Sequence, residues 1–243
     1  MTLRPVVRTS LSQGVFEQLR EQIVSGALEP GATLPAERTL SLVLGVNRSA
    51  VREALKRLEQ ARLVAIQQGG ATRVLDFART AGMDLLSELL VGPGGALSAK
   101  VARGVMEMRT ALAPDIARRC AARGGSVTAA RLDPLLQRMK AAQGDLPALQ
   151  QLGIALWEVV VEGADNVAYQ LAFNTMRAAY ARIWSVLEQP LAAELRDLPA
   201  YEALVEAIRR GDEGAAFEAG RRIVEQGERS VVSLLAALDR AAS

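Results

Sequence analysis

The sequence predicts a mainly α protein, an N-terminal winged helix-turn-helix of α+β type followed by an all-α antiparallel helical bundle. Three observations predict it. Between Leu34 and Val74, two short amphipathic segments flank a turn at Gly45 and lead into two β-branched triplets around a glycine-rich tip, a hairpin pattern. Beyond Leu97 apolar residues recur with helical period and strand signals are missing. Between these regions Gly92-Pro93-Gly94-Gly95 breaks the chain. A length of 243 residues suits two domains at roughly 150 residues each. The expected division is a winged-helix domain over 1–76, a linker over 77–96 and an all-helical domain over 97–243.

The first expected helix carries Leu11, Val15, Leu19 and Ile23 at four-residue intervals, with Phe16 and Val24 widening the stripe before Gly26 and Pro30-Gly31 stop it. Leu34-Pro35 leads into a second helix with Leu40, Val43 and Leu44 on one side and Gly45 at its C-terminal cap. Asn47 begins the third. It turns Val51, Ala54, Leu55 and Leu58 inward, while Arg48, Arg52 and Lys56 recur every four residues on another face. An apolar inner face and a cationic outer one suit the DNA major groove, where Arg48 is placed to make two hydrogen bonds to a guanine. Val64-Ala65-Ile66 and Thr72-Arg73-Val74 form the wing, whose glycines allow close approach to DNA and whose Arg73 can pair with a phosphate. A small helical domain with a solvated charged face is the bland alternative, and the order helix, turn, helix, wing argues against it.

After the connector 76–82, Met83 to Leu90 begins another helix. Bundle helices are expected near Ser98–Arg123, Val127–Gln143, Leu146–Glu162, Asn166–Glu188, Leu191–Arg210 and Glu213–Leu238. Pro114 is expected to kink the first, Gly124-Gly125 to end it, and Gly163, Pro190 and Gly211 to mark further breaks. Ligand sites in such bundles are built from side chains projecting inward from facing helices.

Composition excludes much chemistry. The chain has no histidine, so Ser-His-Asp, Cys-His and His-based zinc mechanisms cannot be assembled within it. Cys120 is the single cysteine and reads as a small buried residue. No phosphate-binding Walker loop or dinucleotide fingerprint occurs, Asp and Glu fall mostly at helix surfaces and caps, and no cofactor or metal is expected. The reading is therefore not an enzyme. Residues 1–80 carry 11 Lys/Arg against 7 Asp/Glu and the rest 18 against 20, which supports nucleic-acid contact through the first domain. With no run near the roughly 20 apolar residues of a membrane span and no apolar centre in Met1–Ser10, a cytoplasmic location without membrane contact is expected.

The string PGATLPAERTLSLVLGVNRSAVREALKRLEQARLV resembles the GntR family of bacterial transcription regulators, and the continuation IQQGGATRVLDFARTAGMDLL is similar to its FadR-like branch. The resemblance implies that Arg38, Arg48 and Arg52 make the main DNA contacts, that Asn47 and Ser49 occupy contacting positions, and that Gln68 and Gly69 form a wing tip entering the minor groove. Lys56 is expected on a phosphate. Many relatives with this type of helical effector domain (FCD) bind a metal through one aspartate and three histidines, and alignment places Gly153, Trp157, Tyr201 and Ile223 there. None of these holds a divalent cation, so a metal-free pocket is expected. The FadR-like branch also lacks the metal, and Asn174 to Arg182 resembles its Asn-Gly-Met and Tyr-x-Arg segment, which implies a fatty acyl-CoA effector. Gly227 and Val231 depart from that pattern, standing where the branch has the serine and tryptophan of its acyl-CoA response.

Arg109, Trp157, Asn174, Tyr180, Arg182 and Tyr201 are thus the expected effector-binding residues. As alternatives, Trp157, Tyr180 and Tyr201 are ordinary core aromatics and Arg109 pairs with Glu107 or a facing carboxylate. The resulting expectation is a homodimeric regulator, a repressor, that binds a pseudo-palindromic operator and answers to a fatty acyl-CoA or other acidic metabolite. The competing readings are an effector-independent DNA-binding dimer and a carboxylate-dependent enzyme.

Overall fold

Ser10 starts the first helix by accepting a hydrogen bond from the Gln13 amide (3.2 Å), which supplies one of the partners that a helix N-terminus lacks. In the computed structural model, which describes residues 10–67, 71–91 and 97–242, the described residues up to Leu85 form one unit and those from Leu86 a second. The first unit contains α1 (Leu11–Val24), α2 (Glu37–Val43), α3 (Arg48–Gln60), β1 (Val64–Ile66), β2 (Thr72–Val74) and α4 (Phe77–Thr80). Gly45 closes α2 with φ of 64°, a left-handed conformation that glycine adopts without steric penalty.

α1 and α3 build the centre of this unit. Val15, Phe16, Leu19 and Ile23 face Val51, Ala54, Leu55 and Leu58, all buried, and Arg57 lies 4.3 Å over the Phe16 ring while donating to Gln13 Oε1. Each large apolar side chain so buried contributes roughly 1.5–3 kcal/mol. Two expected core positions are exposed instead. Leu11 opens α1 ahead of the buried stripe, and Val43, 76% exposed, lies in the last turn of a seven-residue helix that packs chiefly on α3 and buries only Leu40.

β1 and β2 pair antiparallel with Val64 opposite Val74 and Ile66 opposite Thr72. A third segment was not expected. Gly31, Ala32 and Leu34 exchange backbone hydrogen bonds of 2.8 Å with Thr72 and Val74, so the stretch before α2 runs as an outer strand beside the wing. Residues 77–91, expected as part of a linker, are structured: Thr80 Oγ1 donates to the Arg62 carbonyl (3.0 Å), and Leu85 and Leu90 are buried. Apolar burial fixes this stretch to the unit on each side of residue 85.

The second unit comprises α5 (Leu86–Leu89), α6 (Ala99–Ala141), α7 (Leu146–Gly163), α8 (Val167–Arg196), α9 (Leu198–Arg210) and α10 (Glu213–Ala242). Its core runs through Leu132, Met139, Leu149, Leu156, Leu204 and Ile208, all fully buried. α6 is two helices that meet at a kink, where Gly125 leaves helical dihedrals (φ 49°, ψ −142°), the break expected at Gly124-Gly125; Pro114 leaves the first of them regular. The expected break at Pro190 does not occur. A proline inside a helix costs about 3 kcal/mol, but Leu187, Leu191 and Leu195 form one buried stripe through it, and together they outweigh that cost. The chain turns at Asp197 instead, whose Oδ1 caps α9 by accepting from the Ala200 amide (3.3 Å) and whose carboxylate also receives Arg222.

Candidate functional site

In the first unit α3 presents the cationic face. Asn47 Oδ1 accepts from the Ala50 amide (2.8 Å) and fixes the helix start, so Arg48, Ser49, Arg52 and Lys56 project from a rigid element, all exposed. Arg52 is not isolated. Its Nε donates to both Glu37 oxygens (3.2 and 3.3 Å) and its Nη2 to Oε2 (2.9 Å), an α3 to α2 clamp that sequence reasoning missed. The Arg52 hydrogen bonds hold the Glu37 carboxyl below its ordinary range; slight burial opposes this, and the charges of Arg52, Arg48 and Lys56 reinforce it. These residues therefore share one positive field. Arg38 is exposed on α2 and Arg73 is exposed on β2, paired in register with Ala65. Gln68 and Gly69 lie outside the described residues.

The second unit contains a partly open cavity of about 80 Å³ walled by α6, α7, α8 and the start of α9. Its surface is mostly apolar, from Ile116, Ile154, Phe173, Met176, Trp184 and Leu191. Four of the expected effector residues, Arg109, Trp157, Tyr180 and Tyr201, converge on it. Asn174 and Arg182 do not: Asn174 Oδ1 accepts from Gln170 Nε2 (3.3 Å), and Arg182 is exposed and paired with Glu88 (2.8 Å). Each stands two residues, about 200° of helical rotation, from an inward-facing neighbour, Met176 or Tyr180.

The polar lining includes Gln150, Arg177, which pairs with Glu158 (3.1 Å), and one buried ion pair. Arg109 Nη2 donates to Glu194 Oε1, with the two side chains 12% and 4% exposed. Arg109 Nη1, Glu194 Oε2, Trp157 Nε1 and the nearby Thr110 Oγ1 are buried with no hydrogen-bond partner in the protein. Burial pushes the Glu194 carboxyl above its ordinary range, and Arg109 together with the nearby Gly227 backbone amide offsets this only in part. Burial likewise pushes the Tyr180 phenol up to about 12 and raises Tyr201 further. Tyr180 Oη donates only to Met106 Sδ (3.4 Å), a weak acceptor.

Glu194 was absent from the sequence reading, although it falls seven residues after Leu187 and three after Leu191 on an otherwise apolar stripe. Gly227 explains its fit. A Cβ at that position would lie 1.9 Å from Glu194 Oε2 and 2.8 Å from Leu191 Cδ2, so the glycine leaves the room that the carboxylate occupies.

Residues 11–74 match the family described as bacterial regulatory proteins, gntR family, and residues 104–226 match the FCD domain. The chain belongs to the GntR family. It is 36% identical over 235 residues to the HTH-type transcriptional regulator Mce2R of Mycobacterium tuberculosis, covering 97% of each chain. It is 30% identical over 184 residues to the fatty acid metabolism regulator protein of Cronobacter sakazakii, covering 73% of each. Among solved structures, E. coli McbR/YncC superposes with a TM-score of 0.50 at 20% identity, over 95% of this chain and 99% of that one, a likeness of fold. As a GntR member with an FCD domain, the chain is a DNA-binding transcription regulator and not an enzyme. Among the described residues no helix is long and apolar enough to cross a membrane.

At the four positions aligned with the FCD metal ligands, Gly153, Trp157 and Tyr201 line the cavity and Ile223 is buried. These side chains offer one phenol oxygen, and the guanidinium of Arg109 borders the same space. Among the described residues no three of Asp, Glu, His and Cys converge. The residues present do not fit a divalent cation.

Proposed function

We propose that this regulator is a cytoplasmic homodimeric repressor whose α3 helices read the two halves of a pseudo-palindromic operator, and whose bundle cavity holds the effector that changes operator affinity. The observation that carries the first part is the exposed row Arg48, Arg52 and Lys56 on an Asn47-capped helix. Arg48, at the helix N-terminus, contacts a guanine edge, assisted by Arg38 and Ser49; Lys56 and Arg73 bind phosphates, and the wing tip with Gln68 and Gly69 approaches the minor groove. Glu37 holds the Arg52 guanidinium outward from α3 and keeps its fork oriented towards the duplex.

The effector part rests on the mostly apolar cavity with its buried pair, and the relatives named as fatty acid metabolism regulators favour a ligand with an apolar chain, a fatty acyl-CoA or a simpler acid. An effector acts only through unequal affinity for the DNA-competent and incompetent conformations. The test is fluorescence anisotropy on an operator selected from random sequence. Arg48→Ala is expected to lose roughly 1–3 kcal/mol of specific affinity and to blur one base pair per half-site, and Lys56→Ala to weaken all sequences alike while lowering the salt slope. Unchanged operator affinity in Arg48→Ala overturns the assignment.

A further inference from the structure

The row of cations on α3 ends in a carboxylate. Glu59 stands eleven residues after Arg48, three turns and about 20° round the helix, within the arc of roughly 80° that runs from Arg48 to Lys56. It is exposed, as they are. A negative charge on this face lowers the attraction for phosphates. Glu59 also makes a contact that no cation of the row can make: its Oε1 accepts a hydrogen bond from the Ile66 backbone amide (3.0 Å).

Ile66 is the last residue of β1, and its amide faces away from the hairpin. The outer segment 31–34 exchanges hydrogen bonds with Thr72 and Val74, so the intervening Arg73 turns its backbone groups to Ala65, while Val64 and Ile66 turn theirs to the free edge of β1. Glu59 answers that edge from α3. Where β1 leaves the helix is already fixed by the turn at Arg62 (φ 56°), by the 2.9 Å bond from the Leu63 amide to the Leu58 carbonyl, and by the burial of Leu63 and Val64. Ala65 and Ile66 are not buried, so side-chain packing does not fix where the strand goes next. A second attachment, two residues beyond Val64, sets its direction.

We infer that Glu59 is a positioning residue for DNA recognition: it ties the wing to α3 at Ile66 and, through the Ala65–Arg73 pair, sets where Arg73 meets the duplex relative to Arg48 and Lys56. Two DNA-contacting elements held at a fixed angle bind as one pre-ordered surface, whereas a loose wing has to be ordered when DNA arrives. The outer segment 31–34 still holds β2 when Glu59 is removed, so the hairpin keeps its fold and loses its aim.

This inference rests on the reading of α3 and the wing as the DNA-contacting elements, and the experiment keeps the two apart. Operator affinity of the full chain is measured for Glu59→Ala, Glu59→Gln, Arg73→Ala and the double variant Glu59→Ala with Arg73→Ala, and amide hydrogen exchange is followed in the free proteins. Glu59→Ala is expected to lose about 2- to 12-fold in operator affinity and to speed exchange at Ile66, with the Ala65 and Arg73 amides unchanged. Glu59→Gln keeps an acceptor oxygen without the charge and is expected to recover most of that affinity. In the Arg73→Ala background Glu59→Ala is expected to cost less than it does alone, because the two act through one contact. Parental operator affinity in Glu59→Ala overturns the inference. So does a gain shared by Glu59→Ala and Glu59→Gln, which makes the residue a repelling charge and nothing more. Unchanged exchange at Ile66 in a folded Glu59→Ala protein removes the tie, and strictly additive losses remove the route through Arg73. Arg48→Ala is the control: if it too binds the operator like the parent, the reading of α3 itself has failed.

Discussion

Arg48 stands in solvent at the start of α3 with its helix capped behind it, whereas Arg109, deep in α6, is 12% exposed and held by Glu194. The same side chain is thereby under two different energetic regimes. At the surface, water solvates the guanidinium, and on the proposed reading it does so until DNA arrives, so the contribution of Arg48 would be felt in binding and scarcely in folding. Inside the bundle the guanidinium has surrendered its water, and its partner carboxylate is what makes the position tolerable. Binding function can therefore be added to α3 with little effect on stability, while a cavity read as the effector site would couple function to folding.

The comparison breaks most visibly at Arg109. Arg109→Met leaves Glu194 buried without its cation and is expected to lower unfolding free energy by roughly 3–5 kcal/mol near neutral pH. The loss should shrink on acidification. Because burial holds the folded Glu194 carboxyl above its ordinary value, its contribution is most favourable below the unfolded pKa and declines as pH rises through the folded one. Urea titrations across that range check both statements, and equal stability of variant and parent would show that the pair carries no energetic weight. Arg48→Ala, in the same assay, should stay within about 0.5 kcal/mol of the parent.

Asn47 lies between these extremes, since it serves the fold of the first unit and the aim of the reading helix together. Asn47→Ala is expected to cost roughly 0.5–2 kcal/mol through the lost cap and to reduce operator affinity as the first turn of α3 frays. Stability that falls while operator affinity holds would separate the two roles.

A smaller effect tests a half-buried polar contact. Tyr169 Oη donates to Asp115 Oδ2 (2.5 Å), and this hydrogen bond, opposed by burial and aided by Arg118, holds the Asp115 carboxyl below its ordinary range. Its contribution is present above the unfolded pKa and lost as pH falls through the folded one. Tyr169→Phe is expected to cost about 0.5–1.5 kcal/mol at neutral pH, and the difference from the parent should vanish in acid. A difference independent of pH would assign the loss to packing.

Legibility in the sequence followed the reach of the interactions. The two wing strands, the Asn47 start of α3 and its inward residues depend on neighbours a few positions away, and they stand as read. The outer strand at 31–34 was hidden because its partner lies some forty residues later and Pro30-Gly31 reads locally as a stop. Val43 was misplaced because helical periodicity identifies a face without saying how much of a seven-residue helix its neighbours cover. In the bundle, treating Pro190 as a break hid the stripe that continues from Leu187 to Leu195, and with it the anomaly of Glu194. The aromatics and Arg109 were found because large or charged residues on apolar faces are conspicuous one at a time. Their convergence needed the tertiary structure.

Gly227 turns the buried carboxylate into a constraint on how this chain can vary. A side chain at 227 would meet Glu194 Oε2 and Leu191 Cδ2, so alanine or serine there has to displace the end of the Glu194 side chain from its place beside Arg109, a demand that disappears once residue 194 is shortened. The two positions behave as one locus. A lineage leaving this arrangement must pass first through a smaller residue at 194, which strands Arg109, or through a crowded pair. Either intermediate is unfavourable, and the barrier lies in the order of substitution, not in the end points.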